Sequence, residues 1–82
     1  MYIKSFNSQY DLVEFNHCIN EVDGECICIL ELLIEGDLDS FKESDFEGPL
    51  LIGTDKQCYV FTDFKVSEYF GEHGLVRVIC VK

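Results

Sequence analysis

The chain has 82 residues, enough for one domain around one modest core. Its 16 acids and 6 bases leave a net charge of −10, yet 48% of its residues are hydrophobic and only one is Pro. That excludes a disordered tail, which needs low hydrophobicity as well as high charge. The charge is concentrated: Asp11, Glu14, Glu21, Asp23, Glu25, Glu31, Glu35, Asp37, Asp39, Glu43, Asp45 and Glu47 face Lys42 alone. Twelve acids against one base make −11 for that block, and the remainder contributes +1. Such a field disfavours nucleic acid and anionic membranes as direct partners; it suits a basic protein, a cation, or solubility alone.

The opening residues, Met1 to Asn7, lack the apolar stretch of a secretory signal. The most apolar run, Cys26 to Ile34, is too short to span a bilayer and contains Glu31. Five cysteines, Cys18, Cys26, Cys28, Cys58 and Cys80, are an odd number without the spacing of a disulfide framework. These features lead us to expect a reduced, cytoplasmic chain forming a single acidic domain over 1–82.

In chain order, Tyr2 to Phe6 reads as a short strand. Ser8 followed by Asp11 resembles a capping box, and Leu12, Phe15, Ile19 and Val22 recur at spacings of three and four, joined by Cys18. The spacing predicts one main helix over about 9–22, with acids at its positive end and Asp23-Gly24 as its stop. Residues 25–34 alternate as a strand, with Cys26, Cys28, Leu30, Leu32 and Ile34 on one face. A connection over 36–48 follows, either a short helix after Asp37 or an extended arm. Leu50 to Gly53 and Cys58 to Val66 read as a hairpin. Ser67 caps a helical turn through Phe70, and Leu75 to Val81 is the last strand. The expected fold is therefore α+β: a small sheet of four to five mostly antiparallel strands packed on one helix.

One helix covers only one side of such a sheet. The other side carries Ile27, Ile29, Leu33, Tyr59, Phe61, Leu75, Ile79 and Val81. Three solutions are open: the acidic connection folds over it through Leu38, Phe41 and Phe46, the sheet curls into a small barrel, or another molecule covers it. A homodimer on these grounds would place Tyr59, Phe61 and Ile79 at the contact.

Catalytic and metal-binding patterns are weak. A zinc site from Cys18, Cys26, Cys28 and Cys58 or Cys80, with His17 nearby, would need C-x-C inside a strand rather than paired thiols in tight loops. Packed core thiols are the simpler reading. A Cys–His nucleophile using His17 or His73 lacks the electropositive surroundings that activate a thiol. Counted as an EF-hand from Asp37, the sixth position is Lys42 where Gly is required. We expect no enzyme and no cofactor.

The acidic block is the strongest functional feature. In extended chain, carboxylates two residues apart stand about 6.8 Å apart on one side. Asp37 and Asp39, and Glu43, Asp45 and Glu47, have that spacing. Duplex DNA carries roughly one charge per 1.7 Å of axis. Carboxylates on a protein rim can therefore compete for Arg/Lys grooves that hold phosphates, as a nucleic-acid mimic does. The expectation is a small inhibitor-like module that occupies a basic surface of a nuclease, effector or nucleic-acid-binding protein. Its contacts would be Glu31, Glu35, Asp37, Asp39, Glu43, Asp45 and Glu47. In general character alone this resembles phage anti-defence factors, anti-CRISPR proteins among them, and toxin immunity proteins; no motif carries the resemblance further. The alternatives are a homo-oligomeric accessory domain and a Cys/His metal-binding protein.

Overall fold

The computed structural model describes residues 1–82 and contains seven strands, with no α-helix. They are β1 (Tyr2–Lys4), β2 (Gln9–Val22), β3 (Glu25–Glu35), β4 (Leu50–Gly53), β5 (Cys58–Phe61), β6 (Lys65–Glu72) and β7 (Leu75–Val81). All pairings are antiparallel, in the order β5-β4-β1-β2-β3-β7-β6. The α+β expectation is thus overturned: the fold is all-β, and the helix expected over 9–22 is its longest strand.

The reason is a bulge. Leu12 pairs with Ile34 and Glu14 with Leu33, so Val13 is an extra residue. Ahead of the bulge Tyr10 and Leu12 point inward, and after it Phe15, His17 and Ile19 do, judged by the partners they oppose. Two residues of the same face therefore stand three apart, Leu12 and Phe15, which imitates a helical repeat. The second misassigned helical turn has the same cause. β6 shifts register between Val66 and Glu68, so Val66 and Tyr69 share the inner face across the extra Ser67. Asp23-Gly24 is not a helix stop but a tight hairpin turn, with φ of 52° and 81°. His73-Gly74 makes the equivalent turn between β6 and β7, at 48° and 78°.

The expected strand from Cys58 to Val66 is likewise two strands. Thr62, Asp63 and Phe64 interrupt it, with Asp63 at φ 66°, and β5 and β6 lie at opposite ends of the strand order. In a flat sheet those ends would be about 29 Å apart, six interstrand spacings. The four steps from Phe61 to Lys65 reach at most about 14 Å. The sheet must therefore roll until β5 and β6 approach each other, leaving a seam between them. Side chains agree: the ring of Phe15 on β2 lies 5.5 Å from Tyr59 on β5, and His17 lies 5.1 Å from Phe61.

Rolling puts one sheet face inside. Ile3, Leu12, Leu30, Leu32, Ile34, Leu50, Ile52, Val76, Val78 and Cys80 form the core with Phe46 and Phe64. The acidic connection closes one end through two 3₁₀ turns, Leu38–Ser40 and Glu43–Phe46. There the rings of Tyr10, Phe46, Phe41 and Tyr69 pack in succession at 5.6, 5.3 and 4.5 Å, the first two pairs stacked and the last tilted, joining β2 to β6. At Gly53 an added Cβ would fall 2.3 Å from the Tyr2 ring, so only glycine lets that ring lie across the strand. The curl and the connection together cover the inner face. The outer face keeps Ile27, Ile29, Leu33, Leu75, Ile79 and Val81 half-buried around the Glu31–Arg77 ion pair.

Candidate functional site

A groove opens beside the seam, at the corner that turns β5 into β6. Its volume is about 740 Å³, and it runs between the second 3₁₀ turn, the chain after it and the β5–β6 corner. Its lining includes Glu43, Glu47, Asp63 and Lys65 over Phe64, Val66 and Pro49. Each acid arrives for a local reason. Glu43 opens a 3₁₀ turn whose apolar residue, Phe46, is drawn into the core, which leaves Glu43 exposed. Glu47 lies just beyond that turn, before Gly48 in a left-handed conformation at φ 89°. Asp63 takes the left-handed corner that turns β5 into β6, a conformation Asp tolerates better than most residues. Three carboxylates thus face one lysine around a partly apolar floor. Such a groove attracts a cation whose stem is aliphatic, the chemistry of Lys and Arg side chains.

The seven carboxylates singled out in the sequence do not form one surface. Glu31 binds Arg77 on the outer face, and Glu72 approaches the same guanidinium at 3.4 Å. Hydrogen bonding to Glu31 raises the Arg77 pKa further above its usual value. Asp37 caps the first 3₁₀ turn, accepting from the Ser40 N–H at 3.0 Å. Asp45 is turned inward: it is 7% exposed and accepts from the Tyr10 hydroxyl at 2.6 Å. Burial first, and Asp45 second, raise the pKa of the Tyr10 phenol. Glu35 and Asp39 remain exposed outside the groove, while Glu43 and Glu47 line it. Because residues 43–46 coil, the extended-chain spacing of carboxylates does not apply there.

Tyr59, Phe61 and Ile79 also separate. The first two stack on each other at 6.5 Å beside Phe15 and His17, whereas Ile79 lies on the outer face opposite Glu31 and Glu68. Among the cysteines, Cys80 is buried and Cys28 half-buried, while Cys18, Cys26 and Cys58 are exposed, so most are not the core thiols expected. Burial pushes the Cys80 thiol up to about 11. No three His, Cys, Asp or Glu side chains converge as a metal site. Asp63 went unrecognised in the sequence, although the polar pair Thr62-Asp63 in the middle of the run from Cys58 to Val66 is itself a sign of a break.

Compared with protein-family models, curated proteins and solved structures, the chain matches none.

Proposed function

We propose that this chain is a protein-binding module that holds a basic partner at the seam, with Glu43, Glu47 and Asp63 receiving Arg or Lys side chains. The observation that supports it is the groove itself: three exposed carboxylates, one lysine and a partly apolar floor beside the corner that turns β5 into β6. Glu35 and Asp39 extend the negative field beyond the groove and speed encounter rather than fix the complex. An inhibitor of a nucleic-acid-binding surface is the role such a module fits, because phosphate-binding grooves are rich in the same side chains.

A titration with an arginine-rich peptide tests the site, with calorimetry at low and high salt as the readout. The variant Glu43→Gln, Glu47→Gln, Asp63→Asn removes three charges with little change of shape. It should weaken binding by about tenfold or more and flatten the salt dependence. The control Glu21→Gln, Asp23→Asn, Glu25→Gln removes the same charge from the β2–β3 tip and should change little. Equal losses in both would mean that net charge alone attracts the peptide and that the seam is no site.

A further inference from the structure

β1 accompanies β2 only as far as Leu12, whose N–H reaches the Met1 carbonyl at 2.9 Å. From Val13 to Val22, β2 is paired with β3 on one side and with no strand on the other. Asn16 to Val22 are all exposed, and Ile19 is 65% exposed. An open strand edge presents unpaired N–H and C=O groups, and proteins usually protect it by shortness, charge or a bulge. The other two edges follow that rule. β5 has four residues, and β6 carries Lys65, Glu68, Glu72 and the Ser67 bulge. β2 has its bulge only at Val13, where the open stretch begins, and beyond it Phe15-Asn16-His17-Cys18-Ile19-Asn20 contains no acid, lysine or arginine in a chain of charge −10.

We infer that this edge is a homodimer interface, in which β2 pairs antiparallel with β2 of a second copy about a two-fold axis at Cys18. That register uses the whole stretch from Glu14 to Val22. It sets Asn16 against Asn20, His17 against Ile19, Phe15 against Glu21 and Glu14 against Val22 of the second copy, so no carboxylate opposes a carboxylate. Like charges directly opposite are what would forbid such a pairing. The two positions in every pair have the same parity, so the inner and outer faces continue across the axis and Ile19 gains cover. Elsewhere the acidic surface repels a second copy. Salt screens that repulsion, so dimerisation strengthens as salt rises, the opposite of binding to a basic partner.

Sedimentation of the chain at micromolar concentration should show a dimer whose fraction grows from physiological to high salt. Cys18→Lys should weaken it by about tenfold or more, since it sets two lysines face to face at the axis. The same change lowers the net negative charge, so general repulsion cannot explain the loss. In a Cys26→Ser, Cys58→Ser variant, mild oxidation should join two copies through Cys18, because directly opposed residues have Cα atoms about 4.5–5.5 Å apart, within disulfide range. A monomer at every concentration and salt overturns the inference, even if the monomer takes up a strand from another protein. So does a dimer that survives Cys18→Lys in folded protein, or one that oxidation fails to join through Cys18.

Discussion

Strands β2 and β3 form one hairpin with two different ends. Near the body, Leu30, Leu32 and Ile34 are flanked by β2 and β7 and are at most 1% exposed. Toward the tip the same alternation continues through Cys28 and Cys26, opposed by Ile19 and Glu21, yet β7 has ended and Cys26 and Ile19 are exposed. The residue types scarcely change along the hairpin; their neighbours do. An alternating pattern fixes which side chains share a face, whereas burial is decided by what topology brings opposite them.

The sharpest way to break this contrast is to truncate an apolar side chain at each end. Leu30→Ala should cost about 2–5 kcal/mol in denaturant unfolding, because it opens a cavity in a closed core. A melt like the parent's would mean that the rolled core is wrongly assigned.

A second test uses a buried thiol. Cys80 keeps its proton to higher pH in the fold, about 11, than its ordinary 9.0. Its contribution to stability is therefore complete below about pH 9 and is lost as pH rises through the folded value. The loss is about 2–3 kcal/mol by linkage. Unfolding free energies followed up to that pH should decline, and Cys80→Ala should flatten the decline. Tyr10, also raised, loses stability in the same direction above pH 10. A profile unchanged by Cys80→Ala would place the thiol outside the core. Accessible-thiol labelling of dilute protein sharpens the contrast further: Cys18, Cys26 and Cys58 should react quickly and Cys80 only on unfolding.

Tyr10→Phe tests how the acidic connection is tied to the body. It leaves the buried Asp45 carboxylate without its donor and should cost about 1–3 kcal/mol by thermal or chemical unfolding. It follows that reversing Asp39, Glu43 and Glu47 to Lys should preserve the fold, while adding Asp45→Lys should damage it. The smallest effect belongs to the tip. Ile19→Ala, measured on dilute protein, should change stability by no more than about 0.5 kcal/mol.

What was legible in the sequence follows the same physics. β3 and β7 alternate without interruption, and both were evident from Cys26 to Ile34 and from Leu75 to Val81. β2 and β6 were hidden because a single extra residue in each, Val13 and Ser67, places inner-face residues three apart. The Asp23-Gly24 pair between two apolar patterns was a hairpin signal that the helical spacing outweighed. For the site, the acid block was visible, but the direction of each carboxylate was not. Asp45 turns in because Phe46 beside it is core and Tyr10 offers a hydroxyl, whereas Glu43 and Glu47 turn out. Asp63 joins them only because the sheet rolls, a property of the whole strand order rather than of any local stretch.

The rolled all-β fold depends most on residues 9–22 being a bulged strand. Nuclear Overhauser contacts through that segment test it directly. The expected result is a ladder of cross-strand contacts, Phe15 to Leu32, His17 to Leu30 and Ile19 to Cys28, with the register skipping one residue at Val13. A continuous run of contacts between residues three apart within 9–22, without the ladder to β3, would contradict it.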